Sequence, residues 1–134
     1  MPESIKVSAV IPASPRRIYE AWLGSAEHTA MSGGGAAQVD PRVGGAFSAW
    51  DGYIQGTTQA LAPYSRIVQS WRSADFPEGA ADSTLEVLLA ETPKGTRVTL
   101  AHTNIPDGQG DDYKQGWKDY YFTPMKWYFG AKKG

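Results

Sequence analysis

The sequence predicts an α+β fold: a curved antiparallel β-sheet of about six or seven strands wrapped around a long C-terminal α-helix, with two short helices after the first strand. Three observations carry this. From residue 41 to residue 105 the chain reads as short alternating segments broken by turn signals such as Asp51-Gly52 and Pro93-Lys94-Gly95. Fifteen glycines and nine prolines in 134 residues imply many turns, which favours a sheet-rich architecture. Residues 110–129 form one amphipathic stretch whose apolar side is almost wholly aromatic.

Ser4 to Ile11 alternates, with Ile5, Val7, Ala9 and Ile11 on one face, and is read as a half-buried strand. Ser14-Pro15 is an N-cap followed by a first helical residue, and Gly24 ends that helix. Ser25 is expected to cap a second short helix running to Met31, after which Ser32-Gly33-Gly34-Gly35 is a flexible loop leading to residues 37–40. Strands are expected at 46–50, 53–61, 65–73, 84–91 and 96–104, with Val98, Leu100, His102 and Asn104 sharing a face in the last. Pro106 to Gly110 is the loop before the final helix.

At about 100° and 1.5 Å per residue, that helix spans roughly 28 Å. Tyr113, Trp117, Tyr120, Tyr121, Pro124, Trp127 and Tyr128 fall within about 80° of Trp117 on the wheel, so they form the predicted buried face. Pro124 is expected to kink the helix or to begin a second helical segment, and Gly116 to allow a bend or a close approach.

The length suits a single domain, 1–134. Thirteen basic against fourteen acidic residues give no electrostatic reason to expect nucleic acid or an anionic membrane surface. The absence of cysteine excludes disulfides and thiolate chemistry. The first residues lack the basic and apolar regions of a secretory signal, and no apolar run approaches a membrane span, so a cytoplasmic protein is expected.

Several segments, in order, are familiar: Val39-Asp40-Pro41-Arg42-Val43-Gly44-Gly45, Trp50-Asp51-Gly52-Tyr53-Ile54-Gln55-Gly56 and Ile67-Val68-Gln69-Ser70-Trp71-Arg72. Phe76-Pro77-Glu78-Gly79, Arg97-Val98-Thr99-Leu100, Ile105-Pro106, Gln115-Gly116-Trp117 and Tyr120-Tyr121-Phe122 follow. Together they resemble the C-terminal-type domain of the activator of heat-shock protein 90 ATPase family, within the START-like (Bet v 1-like, SRPBCC) superfamily. The resemblance implies the helix-grip fold and a chaperone of the heat-shock-protein-90 type as a partner. Eukaryotic activators add an N-terminal domain for which 134 residues leave no room. Many relatives carry aromatics where this chain has Met31-Ser32-Gly33-Gly34-Gly35. The resemblance also implies a cavity between helix and sheet.

The aromatic face therefore has two readings, a solid core or the wall of a cavity for a small hydrophobic molecule. In the second, Trp22, Trp50, Trp71, Leu85, Val87, Leu100, Trp117, Tyr121, Pro124 and Tyr128 line the space and His102 is its polar anchor. His102 is otherwise a satisfied core histidine, or the acid–base group of a cyclase- or hydrolase-like enzyme, although no nucleophile pairs with it. Phe122 and Phe129 sit off the wheel's face, so they are either covered by a neighbouring segment or form an exposed stripe for a partner. His28, His102 and Asp40 lack ligand spacing, so no metal or cofactor is expected. Gly33-Gly34-Gly35 lacks the remainder of a phosphate loop. Asp51 is read as turn chemistry and Glu86 as solvated. The leading expectation is a non-enzymatic binding domain, with a chaperone-modulating module and an enzyme as alternatives.

Overall fold

The computed structural model describes residues 2–131. Its elements are β1 (Glu3–Ile11), α1 (Pro15–Leu23), α2 (Ser25–Met31), β2 (Gln38–Val39), β3 (Ala46–Ala49), β4 (Ile54–Ala62), β5 (Arg66–Ser73), β6 (Ser83–Thr92), β7 (Gly95–Ile105), α3 (Gly110–Trp117), a π-helical turn (Lys118–Phe122) and α4 (Thr123–Ala131). The strands form one curved antiparallel sheet in the order β1-β7-β6-β5-β4-β3-β2, and the C-terminal helix lies against it in the helix-grip arrangement.

Alternation puts every second side chain on the helix side, and register aligns these into rows. One row is Ile5, His102, Leu85 and Gln69; the next is Val7, Leu100, Val87 and Ile67; a third is Ala9, Val98 and Leu89. The expected alternation of β7 fails at its end. A register shift opposite Glu3 and Ile5 inserts an extra residue. Asn104 takes a φ of 60° and turns outward to donate to the Asp82 carbonyl at 3.0 Å, so Ile105 is buried in its stead.

Ser14 caps α1 as expected, accepting from the Arg17 N–H at 3.1 Å, with Pro15 in the first turn. Ser25 does not cap α2. It is the first residue of that helix, and its hydroxyl instead accepts the Val39 N–H at 2.8 Å, tying α2 to β2. Glu3 accepts from the backbone N–H groups of Gly108 (3.0 Å) and Gly110 (2.7 Å), so the first strand clamps the start of α3. Those two bonds hold its carboxyl below the usual carboxylate range.

The C-terminal helix is not one regular α-helix. The Thr123 N–H bonds the Lys118 carbonyl, five residues back. A π-turn takes up one extra residue, so everything after it lags by about 100° relative to an α-helical wheel. Beyond the slip the predicted buried residues Pro124, Trp127 and Tyr128 thus give way to Met125 and Phe129, while Trp117 and Tyr121 are buried as predicted and Phe122 joins them. Trp127 is 77% exposed and Tyr120 59%. Phe122 and Phe129, at 4% and 3%, are core residues, and the reading of them as an exposed partner stripe is corrected. The Arg17 guanidinium from α1 lies 5.2 Å over the Phe129 ring. Pro124 follows the wide turn directly; lacking an N–H and clashing with the carbonyl one turn back, it fits there better than inside a tight α-helix.

Candidate functional site

A cleft of about 620 Å³ opens where the β3–β4 hairpin, the end of β5 and the first half of the C-terminal helix meet. Trp71, Trp117 and Tyr121 are buried at its floor. Trp50, Tyr53, Tyr113 and Tyr120 form its sides, and Asp75, Gln109 and Asp112 its rim. Tyr113, Gly116 and Tyr120 follow one another along one helix face, and Gly116 is the gap. A Cβ there would meet only the Tyr120 ring, at 3.8 Å.

Trp50, like Tyr64, has a backbone conformation uncommon for a bulky residue. It and Asp51 form the hairpin turn with φ of 53° and 60°, the left-handed region that a bulky residue rarely adopts. The loop before β2 holds this turn in place. Asp51 donates its N–H to the Ala36 carbonyl at 2.9 Å, and its carboxylate accepts the Ala36 N–H at 3.3 Å. The Trp50 ring lies on Gly35, where a Cβ would come within 2.3 Å of the indole. The glycine loop, expected to be flexible, is thus the seat of an aromatic side chain, and Asp51 does more than form a turn.

Most polar groups around the cleft are paired. Ser73 donates to the Tyr113 hydroxyl at 2.5 Å, which donates to Gln109 Oε1 at 2.8 Å. Gln109 Nε2 donates to the Asp75 carbonyl at 2.9 Å, and the Tyr53 hydroxyl donates to the Asp75 carboxylate. Burial and that carboxylate push the Tyr53 phenol up to about 12, and burial raises Tyr113 as well. At the floor, Tyr121 donates to His28 Nε2 at 2.7 Å. His28 Nδ1 donates to the Trp22 carbonyl at 2.8 Å, so the ring is the neutral Nδ1–H tautomer.

His102 is fully buried behind the floor. Ser83 donates to the Trp71 carbonyl at 2.7 Å, so the 2.8 Å contact of Ser83 with His102 Nε2 is a bond donated by the imidazole. Nδ1 accepts from the Trp117 indole at 3.2 Å. Both nitrogens are engaged, no surface of the ring reaches the cleft, and burial lowers its pKa to about 3. This is the arrangement of a structural histidine that positions Trp117.

Of the residues expected to line a cavity, the structure brings Trp50, Trp71, Trp117 and Tyr121 together at the cleft. Trp22, Leu85, Val87 and Leu100 are buried core residues outside it. Pro124 packs near Gly33. Tyr128 turns toward α2 and donates to Glu27 at 2.6 Å, beside the Arg17–Glu27 ion pair. His28, His102 and Asp40 do not converge, since Asp40 pairs with Arg42. Tyr53, Ile54, Asp75, Gln109, Asp112, Tyr113, Gly116 and Tyr120 line the cleft without having been foreseen there. The signal available for them was aromatic density, at Trp50-x-x-Tyr53 and at Tyr113 and Tyr120. A second depression, of about 790 Å³, runs along β2–β5 among polar side chains such as Gln38, Ser48, Gln55 and Arg72, and has no comparable aromatic wall. No helix among the described residues is long and apolar enough to cross a membrane.

Comparison with known proteins agrees with this fold. The family model described as activator of Hsp90 ATPase homolog 1-like protein matches residues 12–130. The human activator of 90 kDa heat shock protein ATPase homolog 1 is 31% identical over 94 residues, covering 70% of this chain and 28% of its own. The corresponding Dictyostelium discoideum protein is 26% identical, covering 87% of this chain and 30% of its own. The chain thus spans under a third of the length of these two relatives. The crystal structure of an HSP90 activator from Plasmodium falciparum superposes with a TM-score of 0.84 at 27% identity, covering 95% of this chain and 96% of that one. The chain belongs to the activator of Hsp90 ATPase homolog 1-like family.

Proposed function

We propose that this chain binds a small, largely apolar molecule in the cleft between the β3–β4 hairpin and the C-terminal helix. The observation that carries the reading is a space of about 620 Å³ walled by tryptophan and tyrosine rings and kept open at Gly116. That volume is ordinary for a ligand site, as are apolar walls with a few fixed polar groups. The strained turn at Trp50 supports it, because such conformations persist where surrounding structure holds them and cluster at functional sites. Titration with the neutral fluorophore N-phenyl-1-naphthylamine should give saturable binding. Gly116→Leu places a side chain in the gap and adds about 1 kcal/mol of helix propensity, so it should weaken binding roughly tenfold or more without lowering the melting temperature. Absence of saturable binding, or unchanged affinity in a folded Gly116→Leu, would sink the proposal.

A second reading is an interaction module that modulates a chaperone ATPase of the Hsp90 type. Relatives carrying that name support it, as does the exposure of Trp127 on the last helix. Mixed with the purified chaperone, the chain should change ATP turnover, and Trp127→Ala should reduce the effect several-fold, as loss of an interface tryptophan does. Unchanged turnover at saturating concentration would remove this reading.

A further inference from the structure

The cleft described above has a charge and hydrogen-bonding character that its volume alone does not specify. Among the described residues, Asp75 and Asp112 are the only carboxylates that line it, and no lysine, arginine or histidine does. Its donors are largely consumed within the protein. The hydroxyls of Tyr53, Tyr113 and Tyr121 give their protons to Asp75, Gln109 and His28. The indole N–H of Trp117 goes to His102. What remains facing the space is carboxylate oxygen and aromatic ring. The Trp50 and Tyr120 rings meet edge to face, with centroids 5.6 Å apart, and Trp71 and Tyr113 do the same at 5.0 Å. An aromatic face carries negative partial charge and attracts a cation, the more so where water is excluded. An anion entering here would meet no positive group and lose its hydration.

We propose that the cleft selects an organic cation, a quaternary or alkylated ammonium on an apolar body, with the ammonium among the rings of Trp50, Tyr113 and Tyr120 and beside Asp75 and Asp112. The proposal rests on the cleft being a ligand site and adds the class of ligand. Three features cooperate: ring faces recognise the charge, the rim carboxylates discriminate against anions, and the buried floor takes the apolar body. Tyr120 and Asp112 are exposed and belong to the recognising wall, so both can be changed without disturbing the core.

The test is displacement of N-phenyl-1-naphthylamine by three compounds of similar shape: benzyltrimethylammonium, its uncharged carbon isostere neopentylbenzene, and benzenesulfonate. The cation should displace the fluorophore at roughly tenfold lower concentration than the isostere, and benzenesulfonate should be weakest. Tyr120→Leu combined with Asp112→Asn should erase most of the preference for the cation while neopentylbenzene still competes. Equal potency of cation and isostere, or tighter binding of benzenesulfonate, overturns the inference and leaves the cleft as a ligand site. If the fluorophore itself fails to bind, both the inference and the reading beneath it fall.

Discussion

Both histidines of the chain are buried as neutral rings, and their partners fix which nitrogen carries the proton. His28 holds Tyr121, and His102 holds Trp117, so each steadies one aromatic residue of the cleft floor. Burial lowers both pKa values below the ordinary 6.5, to about 3 for His102. The folded state therefore binds fewer protons than the unfolded chain at mildly acid pH. Stability from this source is complete above about pH 6.5 and drains as pH falls toward the folded-state values. The His102 proton alone should give a slope near pH 5 of about 1 kcal/mol per pH unit, and His28 adds to it in the same direction. Guanidinium unfolding at pH 7, 6 and 5 measures it, and His102→Gln should remove the His102 share. A flat profile would contradict the two neutral rings. Strand alternation was enough to point His102 inward. It could not reveal that Ser83, on the neighbouring strand, and Trp117, on the last helix, use up its nitrogens, because those partners meet only in three dimensions.

The terminal helix is where sequence periodicity fails, and the reason lies within five residues. A wheel drawn at a constant 100° assumes every turn is α-helical, whereas Lys118–Phe122 is a π-turn. The clue in the sequence was the pair the wheel left unexplained, Phe122 and Phe129, together with Pro124 just beyond. The extra residue lets Tyr121 and Phe122 both be buried, serving His28 on one side of the slip and the core on the other. Removing one residue by deleting Tyr120 forces a choice. Either Tyr121 leaves His28 with a buried unpaired nitrogen, or Phe122, Met125 and Phe129 rotate toward water. The first costs about 1–3 kcal/mol and the second about 1.5–3 kcal/mol per side chain. The deletion should therefore lose at least about 2 kcal/mol more stability in denaturant melts than Tyr120→Ala. Equal stability of the two variants would show that the π-turn is dispensable. The strands were legible because alternation and turn residues are local signals; Asn104, displaced by a bulge, and the register shift at Thr58/Ala60 broke the pattern.

For the whole molecule, the sheet's row structure and the grip of the last helix follow from the order of elements, which the sequence and its family resemblance both carried. The cleft was less legible. Trp50, Trp71, Tyr113 and Gly116 come from three separated segments, and their meeting depends on the Gly35 loop that seats Trp50. Five of the residues expected at a cavity, Trp22, Leu85, Val87, Leu100 and His102, are core instead, because the inward rows of β6 and β7 are sealed by helix packing and the opening lies at the hairpin end. Five tryptophans, each at a different place in this architecture, serve as site-specific reporters. The most direct measurement is therefore the indole ¹H–¹⁵N spectrum during titration with N-phenyl-1-naphthylamine. Binding in the cleft should shift the resonances of Trp50, Trp71 and Trp117 together and leave exposed Trp127 in place. A shift confined to Trp127, or no shift at saturating fluorophore, would contradict the assignment of the cleft as the functional site.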